Sequence, residues 1–262
     1  MLEVTVTETL AEAEAAMTDR ARFLGGGTLI MNRVNYGDQR FDRIVRCREP
    51  LDEIRTEGAR IIIGAGVTMA AILGSRDLAF LAPAARAVGG PAVRNMATVG
   101  GNLVAPHPYG DLTVALLALD GQVVMADGVV QPLEAYLGAR RGLVRAVTIQ
   151  RPPGDAFRFR KVSRVKPKGV SVMSMAVCLN RAAGRLSGVR LAYGAMGPTP
   201  VRVPAVERAL ESASLDASGI APALAAATQG LDPPDDALAS GWYRREVAPV
   251  HLRRLLLGEG AR

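Results

Sequence analysis

The chain is poor in the residues that build metal centres and aromatic platforms. Its 262 residues include two cysteines and two histidines, and aromatics make up 4%. Cys47 and Cys178 stand far apart in unrelated contexts. With no CxxC pair and no His/Cys cluster, the chain has no means of building an iron–sulfur or zinc site alone. A cytosolic setting favours free thiols over a single disulfide. Long apolar runs are missing too, since none approaches the ~18–20 residues of a membrane span. Met1-Leu2-Glu3-Val4-Thr5-Val6 lacks the basic and apolar regions of a signal peptide. These absences describe a cytoplasmic protein with no membrane span. Aliphatic side chains must therefore fill the core, and 49% hydrophobic against 22% charged residues is ordinary for a folded, soluble chain.

Acidic residues are the minority: 25 against 32 Lys plus Arg, a net charge of +7. Such a surplus suits nucleic acid, an anionic cofactor or an acidic partner subunit. It is spread along the chain, with one concentration from Arg158 to Lys168. No aromatics interleave with it, so nucleic-acid binding is a weak reading. A solvated basic surface explains it as well as a functional one.

What is present is an alternation of short strands and helices. Thr9 precedes the helix-forming run Leu10 to Met17. Strands are expected at Arg22-Phe23-Leu24, Arg43-Ile44-Val45, Arg60 to Gly64, Gln122 to Met125 and Val144 to Ile149. Helices are expected at Thr68 to Ser75, Phe80 to Val88 and Asp111 to Leu119. Arg151-Pro152-Pro153-Gly154-Asp155 punctuates the chain as a boundary. Beyond it come strands from Phe157 to Val162, Val170 to Leu179 and Gly188 to Tyr193. Helices follow at Val203 to Glu211, Ile220 to Thr228 and Trp242 to Leu257.

Two glycine-rich loops stand out. In Leu24-Gly25-Gly26-Gly27-Thr28-Leu29-Ile30, the missing Cβ atoms let the backbone turn sharply and approach a ligand. Successive N–H groups in such a turn form an anion nest. A flexible turn is the plainer reading of the glycines alone. The second loop, Thr98-Val99-Gly100-Gly101-Asn102, adds side-chain hydrogen bonds from Thr98 and Asn102. Asp111 follows nine residues later. Its carboxylate suits a ribose or ribityl hydroxyl, although an acid in a helix's first turn explains it from spacing alone. Ile63-Gly64-Ala65-Gly66-Val67-Thr68-Met69 opens like a dinucleotide fingerprint, but Met69 stands where the third glycine belongs. It reads as a structural strand-to-helix turn.

In this order and separation, the two loops resemble those of the FAD-binding medium subunit of the molybdenum hydroxylases. That family includes carbon monoxide dehydrogenase, xanthine dehydrogenase and 4-hydroxybenzoyl-CoA reductase. The resemblance runs almost the full length. Its most specific stretch is Leu81 to Arg86 continuing through Val93 to Leu103. Phe159-Arg160-Lys161-Val162, Gly194 to Arg202 and Trp242-Tyr243-Arg244-Arg245 are further signatures.

The resemblance implies an α+β protein. Residues 1–152 would form a p-cresol methylhydroxylase-type FAD-binding domain of two α/β subdomains, about 1–55 and 56–152. Residues 155–262 would form a smaller domain with a three-stranded sheet and helices. Non-covalent FAD would lie extended between them. Its pyrophosphate is expected on Leu24, Gly25, Gly26, Gly27, Thr28, Leu29 and Ile30, and on Thr98, Val99, Gly100, Gly101 and Asn102. Asp111, Val144 and Lys161 match further cofactor positions, with Lys161 as a cation near the flavin. His107 and Tyr109 lie in the stretch expected near the isoalloxazine; for His107, loop packing is an equal reading. Val88 occupies an adenine-side position that is aromatic in some relatives. The segment Val165-Lys166-Pro167-Lys168-Gly169-Val170 departs from the family pattern, so no acceptor docking is carried over there.

The family role is electron transfer. Electrons from a molybdenum cofactor on a large subunit pass through 2Fe–2S clusters on a small subunit to FAD here. They leave to NAD⁺, oxygen, a quinone or another carrier. Partners would be those two subunits, in a heterotrimer or its dimer. No residue of this chain is expected to be catalytic or to bind metal, because FAD carries the chemistry. One rival is a stand-alone FAD oxidoreductase, which needs its own acid or base beside the flavin. The other is a scaffold subunit that has lost FAD.

Overall fold

Strand formation follows the β-branched runs, and three sheets arise in chain order. The computed structural model describes residues 2–165 and 169–259. In the first sheet, Glu3–Thr7 (β1), Ala21–Phe23 (β2) and Arg43–Cys47 (β3) pair in parallel, in the order β1–β3–β2. Leu10–Ala15 (α1) and Ile30–Asn35 (α2) fall between these strands. Thr9 starts α1 by accepting the Glu12 N–H, while the Glu12 carboxylate takes the Thr9 N–H. Two otherwise orphaned donors are thus satisfied reciprocally. Leu10 and Ala13 of α1 pack with Val45 and Ala21.

The second sheet holds Ile54–Glu57 (β4), Arg60–Gly64 (β5), Gln122–Met125 (β6), Val130–Pro132 (β7) and Val144–Gln150 (β8). Its order is β4–β5–β8–β6–β7, antiparallel throughout. The edge strands β4 and β7 are additions to the sequence reading. Among the intervening helices are Met69–Gly74 (α3), Ala82–Ala87 (α4), Pro91–Met96 (α5), Val99–Leu103 (α6), Asp111–Ala118 (α7) and Leu133–Ala139 (α8). All eight residues of α7 are buried. A helix apolar on every side belongs inside a core rather than on a surface, and its neighbours explain why.

Those neighbours come from the third sheet. Phe157–Ser163 (β9), Ser171–Cys178 (β10), Arg190–Gly194 and Val201–Arg202 form it, with the short hairpin Arg181–Ala182 (β11) and Arg185–Leu186 (β12) beside it. With Arg190–Gly194 as β13 and Val201–Arg202 as β14, the order is β14–β13–β10–β9, antiparallel. The three expected strands are there, and the two-residue β14 adds a fourth at the edge. Pro204–Leu210 (α9), Ala221–Ala225 (α10) and Gly241–Leu257 (α11) complete the chain. Every residue of β10 is buried. Met173, Met175 and Val177 pack with Ala248 and Leu252 of α11. Ala176 and Cys178 face the other way and join the core that contains α7. Apolar packing is therefore continuous across the Arg151–Asp155 punctuation.

The basic concentration at Arg158 turns largely inward. Arg158 donates to the Leu255 and Leu256 carbonyls, and Arg160 to that of Glu259, at the end of α11. Cations there complement the open carbonyls of a helix C-terminus. Lys166, Pro167 and Lys168, in the segment where acceptor docking was left open, lie outside the described residues. Cys47 and Cys178 are both free thiols. No described helix is long and apolar enough to cross a membrane.

Candidate cofactor site

The first glycine loop leaves the carboxyl end of β2. Leu24 N–H still reaches the Val45 carbonyl of β3, at 2.8 Å. Beyond it, none of the backbone N–H groups from Gly25 to Leu29 has an acceptor among the described residues. Gly27 sits in the left-handed region at φ 73°, which a glycine adopts without strain. Exposed and half-buried amides in a turning backbone are an anion nest in physical terms. The loop also lies hard against the second one. A Cβ on Gly26 would stand 1.6 Å from the Met96 carbonyl oxygen, and one on Gly25 3.0 Å from Thr98 Oγ1.

The second loop corrects the sequence expectation. Thr98 to Asn102 reads as an open glycine loop, but Val99–Leu103 is a helical turn capped by Thr98. Its amides are committed. Val99 N–H bonds the Val67 carbonyl (2.9 Å) and Gly100 N–H the Ala65 carbonyl (2.8 Å). Gly101 N–H is taken by Thr98 Oγ1 at 3.1 Å, and Asn102 N–H by the Thr98 carbonyl at 2.9 Å. Asn102 Oδ1 accepts from Thr113 N–H at 2.9 Å and from Thr113 Oγ1 at 3.0 Å. What remains open on Asn102 is its Nδ2 donor pair. The turn that mimics a dinucleotide fingerprint thus has a structural task. Its Ala65 and Val67 carbonyls hold the second loop, which in turn supports the first.

Asp111 and Lys161 are brought together rather than left as two separate contacts. Lys161 Nζ lies 2.9 Å from Asp111 Oδ2 and donates to the Ala87 carbonyl at 2.8 Å. Ser171 Oγ donates to Asp111 Oδ1 at 2.6 Å. The side chains are 13% and 7% exposed, so each charge needs the other. Lys161 is therefore not an open cation. The pair joins the N-terminus of α7 to β9, with Val88 at the end of α4 close by in the chain. Val144 is buried at the start of β8. The next residue, Arg145, gives its carbonyl to the Ala65 N–H at 2.9 Å.

His107 occupies the connection between α6 and α7. Its Nε2 lies 2.8 Å from Asp236 Oδ2 and its Nδ1 3.3 Å from the Gly197 carbonyl. Both partners are acceptors, so a neutral ring donates to one of them, and Asp236 is the nearer. Asp236 also takes Arg244 Nη2 at 2.7 Å and the Leu238 and Ala239 N–H groups. Partial burial raises the Asp236 carboxyl, but the hydrogen bonds from His107, Ala239, Leu238 and Arg244 outweigh it, holding the group well below the usual carboxylate range. Arg244 is fully buried and spends its remaining donors on the Val172, Ala239 and Pro234 carbonyls. Sequence reasoning missed Asp236 and the role of Arg244. The signal was an arginine in an otherwise amphipathic helix, which ordinarily marks a solvated face. A small cleft opens between His107, Tyr109, Arg140, Gly197 and Thr199. Arg140 Nε on its wall is buried without a partner.

Residues 1–145 match the family described as the FAD binding domain in molybdopterin dehydrogenase. Residues 158–258 match the CO dehydrogenase flavoprotein C-terminal domain. The glyceraldehyde dehydrogenase medium chain of Sulfolobus acidocaldarius is 27% identical, and the match spans 64% of this chain and 63% of that one. The carbon monoxide dehydrogenase medium chain of Afipia carboxidovorans is 27% identical over 94% of this chain and 92% of that one. Among solved structures, carbon monoxide dehydrogenase from Hydrogenophaga pseudoflava, in a form lacking the Mo-pyranopterin moiety, superposes with a TM-score of 0.88. It covers 97% of this chain and 96% of that one at 22% identity, a likeness of fold.

Proposed function

The chain belongs to the family of FAD-binding domains of molybdopterin dehydrogenases, as a medium FAD subunit, and from that premise we propose that it is an electron relay between partner subunits and an external acceptor. The observation that carries this reading is the open nest from Gly25 to Leu29 seated on the capped turn at Thr98. A dinucleotide pyrophosphate is an anion of the size such a nest takes. The residues present fit FAD: the nest offers free amides and Asn102 offers Nδ2. Leu24 and Ile30 flank the nest, and Thr28 lies within it. Met96, Ala97 and Thr98 form its floor, and Val99, Gly100 and Gly101 spend their amides within the fold. The Asp111–Lys161 pair joins α7 to β9, and Val144 lies in the core at the start of β8. When bound, FAD supplies a carrier that accepts electrons singly or in pairs and yields them to NAD⁺, oxygen or a quinone.

A stand-alone oxidoreductase would need a free acid or base near the flavin. His107 faces two acceptors of its own chain, Asp236 Oδ2 and the Gly197 carbonyl, rather than an open space for substrate, and that favours the relay. A scaffold that had lost FAD would gain nothing from uncommitted amides in the first loop. The test is purification of the native assembly with flavin and metal analysis. We expect FAD on this chain, released by heat, with iron–sulfur clusters and molybdenum on co-purifying polypeptides. A colourless assembly, or a flavoprotein that purifies alone and turns over a substrate, would overturn the relay.

A further inference from the structure

The segment from Val104 to Gly110 links the two halves of the candidate site. On one side it continues α6, whose cap Thr98 abuts the first glycine loop; on the other it leads into α7, whose first residue is Asp111. Tyr109 on this segment is 46% exposed, so neighbouring apolar packing does not hold it in place. The His107 ring ties the segment to the C-terminal part of the chain, facing acceptors at Asp236 and Gly197, while Arg140 Nη1 donates to the buried Ala105's carbonyl at 3.2 Å. Asp236 is itself fixed four ways, by His107, Arg244 and two backbone amides. The fully buried Arg244 locks that carboxylate to β10 through the Val172 carbonyl, 2.9 Å away.

We propose that His107 is a positioning residue. Through the Asp236–Arg244 pair it holds the Val104–Gly110 segment against the C-terminal sheet and so sets the environment of the flavin ring. The inference rests on the reading of this cleft as the FAD site. It assigns His107 no direct bond to the cofactor, because both ring nitrogens point at acceptors of this chain. The pyrophosphate grip at Gly25 to Leu29 is a separate device. The His107 clamp acts on the segment that follows α6.

The full chain carrying His107→Leu is compared with His107→Gln. Leucine removes the ring's polar contacts but leaves Asp236 paired to Arg244, so the buried arginine keeps its counter-charge. Glutamine keeps a donor that reaches Asp236. Two readouts are taken: amide hydrogen exchange over residues 104–110 and the visible circular dichroism of bound flavin. We expect exchange at least tenfold faster and an altered flavin band in His107→Leu, with both restored in His107→Gln. Unchanged exchange or an unchanged flavin band in His107→Leu overturns the inference. So does a glutamine variant as perturbed as the leucine one. A wild-type chain that carries no flavin sinks the function proposed above. The exchange comparison, made on the flavin-free chain, still decides whether the clamp exists.

Discussion

Gly26 concentrates the case for the first loop in one atom that is not there. Its would-be Cβ meets the Met96 carbonyl oxygen at 1.6 Å, and no rotamer change relieves a clash with backbone. An alanine must move the loop off its floor and turn the free amides away from one another. Preorganised donors are the source of the grip, so displacing them costs affinity rather than fold. We expect Gly26→Ala to weaken FAD binding at least tenfold, about 1.4 kcal/mol, in a flavin fluorescence titration. Gly74→Ala is the control, because nothing lies within 4 Å of its Cβ position and no shift of backbone follows. Equal flavin affinity in the two variants would remove Gly26 from the site.

Between elements, the Asp111–Lys161 pair does for α7 and β9 what apolar packing does elsewhere in the core. Removing one member of a buried pair strands the other charge, typically at ~3–5 kcal/mol. Asp111→Asn should therefore lower unfolding stability by roughly 3 kcal/mol, on that same scale. Adding Lys161→Met should recover more than half of the loss, as a coupled pair requires. Denaturant midpoints read both, and additive losses would show that the pair is not coupled. Elements of this kind were unevenly legible in the sequence. β5, β8 and β10 announce themselves by dense apolar runs, and Asp111 was seen at the head of its helix. That its partner would be Lys161, 50 residues on, is a tertiary fact. The helical turn at Val99 was hidden because paired glycines signal a loop locally, while carbonyls from Ala65 and Val67 fix the backbone from outside. β4 and β7 are mostly exposed edges with no apolar period to betray them. Arg244 was not singled out for a related reason: composition makes an arginine a surface residue, and only the backbone carbonyls around it make it a core one.

Across the whole molecule, single polar contacts tie sheets that apolar packing would leave free to slide. Between the first and second sheets this role falls to Glu49. It accepts the Leu10 N–H at the start of α1 at 2.7 Å and pairs with Arg145 of β8. The Arg145 hydrogen bond, with that from Leu10, holds the Glu49 carboxyl below its ordinary value against the opposing effect of burial. A depressed folded-state value means that the unfolded chain takes up the proton first as pH falls. The stabilisation is therefore complete above the unfolded value, near ~4.3, and is lost as pH drops through the folded one. Glu49→Gln removes the charge at every pH. We expect that variant to be less stable than the parent at pH 7, and its urea midpoint to fall less steeply on acidification below about pH 5, where the carboxylate's contribution is lost. The two curves should converge at the acid end. Parallel curves would place the acid sensitivity of the joint elsewhere, and an equal midpoint at neutral pH would show that Glu49 does not hold the first sheet, and with it the glycine loop, in place.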